Sequence, residues 1–250
     1  MNAASRQALR STAQLIVLLL VCWQLLYWIV GDVALRSPLE TITFTGKLIG
    51  TSAFWAHIAE TAKAFGVALL LAIVIGLSTG FLLGLNRFAS EVLEPMLIAV
   101  YSIPKITLYP ILLLMFGLGI AAKIAFGTIH GIIPIALFTI TAVRNVRPVF
   151  LKTGRVMGLG PFETIAKILV PAALPEIFAG LRIGFSLTLI GTLLGEMFAS
   201  QRGIGYLLMN AIGLHNIDLI MALTFLLTLF AGTASALLLY VDRRLRAQVR

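Results

Sequence analysis

Few residues in this sequence have the type and spacing for chemistry. The run GFSL (184–187) offers Ser186 as a nucleophile, and His130 lies in another apolar stretch. Together they would be the pair of an intramembrane serine protease, but Leu187 stands where the glycine after such a serine is expected. The other role for Ser186 is an interhelical hydrogen bond. The run GLGPFETIAK (158–167) is glycine-rich but lacks the lysine beside Ser or Thr that a phosphate loop needs. His57, His130 and His215 are isolated, with no ligand spacing among them. The single cysteine, Cys22, excludes an intrachain disulfide and a cysteine-type metal cluster, and reads as a small buried hydrophobe. No catalytic, cofactor or metal site is therefore expected on this chain.

Three charged side chains remain, each inside an apolar stretch: Lys105, Arg182 and Glu196. Ionisable groups within a membrane span are functional candidates. Arg182 and Glu196 share one span and are fourteen residues apart, roughly 21 Å along a helix, so they do not pair with each other. Lys105 follows Pro104 in a broken helix, where freed backbone groups line cavities. For an anionic solute Lys105 and Arg182 are attractive contacts on a transport pathway; control of topology, snorkelling and packing are the other readings. Glu196, at the outer end of its span, either seals an outer gate or bonds the adjacent SQRG loop.

The elements that must position these groups are membrane spans. Of 250 residues, 60% are hydrophobic and 12% charged, against about a quarter charged in soluble domains. The apolar residues fall in blocks long enough to cross a bilayer. Six spans are expected, at 12–30, 66–85, 97–118 (broken by Pro104, Lys105 and Pro110), 120–143, 176–198 and 219–240. The fold class is all-α and polytopic. Arg6 and Arg10 before the first span suggest a signal peptide, but no cleavage site follows and an uncleaved first span is expected.

The net charge of +9 is read as topology control, not as a nucleic-acid surface. With the N-terminus inside, twelve basic residues are cytoplasmic: Arg6, Arg10, Arg87, Arg144, Arg147, Lys152, Arg155, Lys167, Arg243, Arg244, Arg246 and Arg250. Five lie outside: Arg36, Lys47, Lys63, Lys123 and Arg202. Both termini are thus expected in the cytoplasm. Residues 31–63 read as extracytoplasmic, ending in an interface-lying helix, FWAHIAETAKAF, with Trp55 as a belt residue and His57 as an interface polar group. In the second span Ala68, Ala72, Gly76, Gly80 and Gly84 recur every four residues. This stripe admits a close helix neighbour, either within the subunit or across a dimer.

The connection between the fourth and fifth spans, FLKTGRVMGLGPFETIAKILVPAALP (150–175), is too polar to cross and long for a compact link. It reads as helix, glycine turn at Gly158, helix. Phe162, Ile165, Ala166 and Leu169 recur with helical spacing and form the packed face. Pro161 suits a helix start. Glu163 and Lys167 pair on the opposite face. Pro171 and Pro175 are expected to bracket the end of the second helix. A docking element for a cytoplasmic partner is the preferred reading; packing on the protein's own spans or on headgroups is the other.

This loop, from Gly158 to VPAALP, resembles the cytoplasmic signature of ATP-binding cassette importer permeases. IPKITLYPILLLMFGLGIAAKI (103–124) and FAGLRIGFSLTLIGTLLGEMFASQRGIGYLLMNA (178–211) resemble the nitrate, sulfonate and taurine group. The resemblance spans about residues 55–242 and implies a type I, MetI-like permease domain there. Residues 1–54 would hold the first helix and an extracytoplasmic segment, and 243–250 a basic cytoplasmic tail. It further implies a homodimer in a bacterial inner membrane, working with cytoplasmic ATPase chains and an external solute-binding protein. ATP would be used by the partner, and no cofactor would be bound here. The coupling residues carried over are Gly158, Phe162, Ile165, Glu163 and Lys167. Where the family's loop opens with Glu-Ala-Ala, this chain has Lys152, Thr153 and Gly154. A stand-alone secondary transporter is the rival class, but it would show an internal repeat.

Overall fold

Long runs of leucine, alanine and isoleucine leave few places for a helix to stop, so the breaks are set by glycine, proline and local capping. The computed structural model describes residues 3–248, without the side chains of 3–6, 8, 9, 199, 247 and 248. The side chain of Arg6, and Arg250 altogether, lie outside the described residues. In chain order the helices are α1 (Ala3–Val30), α2 (Pro38–Ile49), α3 (Ser52–Leu85), α4 (Arg87–Ser102), a 3-10 turn (Lys105–Leu108), α5 (Tyr109–Phe116) and α6 (Ile120–Arg144). They continue with α7 (Pro148–Val156), α8 (Pro161–Thr164), a π-helical turn (Ile165–Leu169), α9 (Val170–Ala199), α10 (Ile204–Gly213) and α11 (Ile217–Gln248). No strand occurs among the described residues.

Five stretches are long and apolar enough to cross a membrane: Arg10–Val30, Ser52–Leu85, Ile120–Arg144, Pro161–Phe198 and Ile217–Arg246. A bent pair, Arg87–Ser102 with Lys105–Phe116, turns by 84° and supplies a sixth if counted as one span. The expected third span is thus broken at Pro104, but it begins ten residues earlier. Pro110 opens α5 in its first turn instead of breaking it.

The chain divides into two compact units. The first comprises Met1–Ala56 and Leu207–Leu229. Here Arg36 donates to Asp218 at 2.7 Å, and its carbonyl accepts from Trp23 Nε1 at 3.0 Å. The hydrogen bond to Asp218 holds the Arg36 guanidinium above its ordinary range, against burial, which works in the other direction. Ser37 and Glu40 form a reciprocal capping box that starts α2, with Pro38 at the first helical position. α1 is apolar on all sides and exposed from Leu15 to Leu20. Cys22 is exposed with them, not buried as its type suggested, because α1 relies on lipid rather than protein to cover it.

The second unit comprises His57–Tyr206 and Phe230–Arg250. Its centre is α6, whose spanning window is 61% buried against 22% for that of α3. The small-residue stripe explains this. A Cβ added at Gly76 would sit 2.8 Å from Ile135, at Gly80 2.4 Å from Thr139, and at Gly84 2.9 Å from Val143. Ala68 and Ala72 face Gly127 and Gly131 in the same way. On its other side α6 meets α9, where Gly180 lies against Phe138 and Gly184 against Ile135. Helices this close gain dispersion that lipid cannot match. The stripe is therefore occupied by the chain's own α6 and is not a dimer face.

Two expected breaks do not occur. α3 is continuous from Ser52, so FWAHIAETAKAF is its first turns and not a separate interface-lying helix. Nothing between Ser52 and Gly66 interrupts the ladder, and Glu60 there pairs with Lys123. Likewise the helix runs through Pro171 and Pro175 into the fifth span. The π turn at Ile165–Leu169 precedes Pro171, which falls in the first turn of α9. An i−5 register just before a proline re-routes the ladder where its missing N–H would leave a gap.

Candidate functional site

The loop is built from the end of α7 onward. α7 closes on a left-handed Gly158, φ +70°. Gly158 N–H donates to the Arg155 carbonyl at 3.1 Å and Leu159 N–H to the Gly154 carbonyl at 3.0 Å. These two bonds are the Schellman closure, which asks for glycine at this position. Gly160 and Pro161 then open α8. Glu163 accepts from the Gly160 amide at 3.3 Å and from Lys167 Nζ at 2.7 Å. The helix, glycine turn and helix expected from sequence are all present, as is the Glu163–Lys167 pair.

Of the apolar face expected to pack, the chain itself covers only part. Phe162 is 82% exposed and Ile165 half-buried, whereas Leu169 is buried. The contact between the two loop helices runs through Gly154, where an added Cβ would meet Ile168 Cδ1 at 2.8 Å. The Lys152-Thr153-Gly154 departure thus has a local use: Gly154 lets α7 rest on Ile168, while Lys152 and Thr153 are exposed. Rotating the buried face to Ile168 and Leu169 leaves Val156 (89%), Met157 (68%) and Phe162 exposed around the turn. Three large apolar side chains in water form a surface that a partner gains free energy by covering.

The spanning charges separate into two places. Lys105 donates to the Tyr101 carbonyl at 3.1 Å, and its ammonium lies 4.3 Å from the Tyr101 ring centroid. Arg182 lines an open cavity of which Tyr101 is another wall. Glu196 is elsewhere. It is fully buried and accepts from Thr61 Oγ1 at 2.8 Å and from the Gly205 amide at 3.0 Å. Of its two expected roles, the bond to the segment after SQRG is the one observed.

Lys123, counted from sequence as an outside charge, is the residue that reading missed. It is 1% exposed, donates to Glu60 and to the Arg202 carbonyl at 3.0 Å each, and lies 3.8 Å from Glu196. His57 accepts from the Gly203 amide at 3.0 Å and stacks on Tyr206. The 200–205 turn is thereby tied to α3, α6 and α9 at once. Ser186 and His130 do not form a catalytic pair by their bonding. Ser186 Oγ donates to the Arg182 carbonyl (3.3 Å) and His130 Nδ1 to the Phe126 carbonyl (2.8 Å), each on its own helix.

An all-helical chain with a broken third span and a loop leading directly into its fifth has the architecture of an importer permease. A solved structure of the MetNI methionine ABC transporter in inward-facing conformations shares this fold, with a TM-score of 0.66 at 21% identity. The match covers 76% of this chain and 94% of that one. Residues 72–250 match the family described as the binding-protein-dependent transport system inner membrane component, and the chain belongs to that family. A probable ABC transporter permease protein of Haemophilus influenzae is 33% identical over 168 residues, covering 67% of this chain and 69% of the relative. The taurine transport system permease protein TauC of Escherichia coli is 26% identical, covering 83% and 78%. The chain is thus a multi-pass membrane protein and a transporter permease subunit, which displaces both the protease and the stand-alone transporter.

Proposed function

We propose that this chain forms, as two copies, the membrane path of an ATP-driven importer for a small anionic solute such as nitrate, a sulfonate or taurine. Cytoplasmic ATPase chains bind the 150–169 loop, and an external solute-binding protein delivers the cargo. ATP is consumed on the partner, since this sequence carries no phosphate loop. The observation that carries the reading is the exposed apolar rim of Val156, Met157 and Phe162 around a conformationally fixed turn. The taurine relative and the positive charge of Lys105 and Arg182 support an anionic cargo. The twelve-to-five excess of basic residues supports cytoplasmic termini and a cytoplasmic loop, in a bacterial inner membrane. The permease domain is assigned to 55–242, following the 1–54 segment, with 243–250 as a cytoplasmic tail.

The test is native mass spectrometry of the full chain purified in mild detergent with the ATPase encoded beside it. Two copies of this chain with two ATPase chains are expected, and Phe162→Asp should lower the ATPase retained. One permease copy per two ATPases overturns the homodimer. No ATPase on the wild-type chain overturns the coupling role of the loop.

A further inference from the structure

Within the second unit a cavity of about 490 Å³ is lined by Tyr101, Arg182, Ser186 and Ser235, with Leu187 and Leu239 among its apolar walls. Arg182 stands sixteen residues before Phe198 and twenty-one after Pro161 in one continuous rod, roughly 24 and 32 Å along the axis. The guanidinium is therefore interior to the rod and half-buried. Among the described residues no carboxylate pairs with it. Lys105 is not among the lining residues, but it lies over the ring of the lining Tyr101 and spends one donor on the Tyr101 carbonyl, leaving two. Arg182, Tyr101, Ser186 and Ser235 line the cavity with no acidic residue among its walls, and the Lys105 ammonium lies beside it, 4.3 Å from the Tyr101 ring centroid. A guanidinium in low dielectric without a counter-charge is costly and is compensated by an anion that can take its forked donors.

We propose that this cavity is a binding subsite for a small oxyanion group, a nitrate, sulfonate or phosphate, held by Arg182 with Ser186 and Ser235 beside it. The volume fits a small solute and not a macromolecule. The inference rests on reading the chain as a membrane-spanning permease subunit, but not on the loop or the ATPase. Two sources share this chemistry: a solute in transit, and the headgroup phosphate of an anionic lipid.

The experiment uses the full chain with Cys22→Ser and Ser235→Cys in phosphatidylcholine nanodiscs. The rates of reaction at position 235 are compared for two thiosulfonate reagents of similar size, one ending in a sulfonate and one in a quaternary ammonium. A cationic, low-dielectric pocket should favour the anionic reagent by about tenfold or more. Adding Arg182→Gln should abolish the preference and Arg182→Lys should keep part of it, so that a folding defect in one variant does not decide the outcome. Protection by millimolar nitrate or taurine identifies a solute subsite, and protection only by added phosphatidylglycerol identifies a lipid subsite. Equal rates for the two reagents, or no reaction with either because the cavity faces acyl chains, overturns the proposal. Either result leaves ATPase co-purification, and with it the permease reading, untouched.

Discussion

Replacing Gly158 by valine isolates the contribution of one backbone angle to coupling. At φ +70° a Cβ added to Gly158 meets nothing within 4 Å, so the substitution causes no clash. Its cost is conformational: about 1–2 kcal/mol for an L-residue in the left-handed region, and more for a β-branched one. If the turn relaxes instead, the Gly158 to Arg155 and Leu159 to Gly154 bonds are lost, at about 1 kcal/mol each. Relaxation also moves Phe162 relative to Val156. A loss of 1–2 kcal/mol in docking is a factor of about 5–30 in the docked population. We expect normal membrane levels, because no span is touched, with uptake and ATPase retention reduced by that factor. Gly158→Asn should keep most activity, since asparagine tolerates this conformation. Glu163→Ala should lose little, because its exposed pair with Lys167 is worth about 0.3–0.5 kcal/mol. The assay is uptake and ATP hydrolysis in proteoliposomes at matched amounts of chain. Normal uptake by Gly158→Val would refute the reasoning, as would equal defects in the valine and asparagine variants.

Three other outcomes are expected. Glu196→Ala leaves the Gly205 amide and Thr61 hydroxyl without their acceptor, at about 1–3 kcal/mol per buried group. Thermal inactivation in detergent should therefore come earlier, with Glu196→Gln less affected; unchanged stability of the alanine variant counts against the network. On α3, Gly66→Ala should stabilise slightly through helix propensity, whereas Gly80→Ala should destabilise through its 2.4 Å approach to Thr139; melting curves showing the same sign for both would contradict the packing. In a Cys22→Ser background, an impermeant maleimide applied outside should label Gln201→Cys but not Thr153→Cys, and outside labelling of position 153 would invert the orientation.

Most of the architecture was legible because lipid imposes a simple rule. A run of apolar residues long enough to cross does so, and the limits of α6 differ from the expected span by a single residue, Arg144. What was hidden depended on partners distant in sequence. Lys123 looks like a loop charge until Glu60 and Arg202 are brought to it. The stripe on α3 shows that some helix comes close, but not whose, and only the i+4 match with Ile135, Thr139 and Val143 assigns it to α6. Pro171 and Pro175 read as helix ends because a π turn leaves no mark in composition. The spacing of Phe162, Ile165 and Leu169 marks an apolar face on the loop helix, but not which part of it the chain covers by itself. Gly154 draws Ile168 inward and leaves Phe162 in water.

The interlocking of α3, α6 and α9 has a mechanical consequence. At the interlocking glycines of this block the side chain of the neighbouring helix sits directly against the backbone, so sliding one of these helices past another would meet a steric clash within one turn. The loop helix is not hinged to that block. It continues through the π turn into the fifth span as one rod from Pro161 to Phe198, about 57 Å end to end at helical rise. A push at Phe162 is then applied to the end of a lever whose far tip carries Glu196 and the 200–205 turn. The 84° bend between Ser102 and Lys105 is tied to this block on both sides, α4 by Arg144 on Ser90 and Glu94 and α5 by Tyr109 on Phe126.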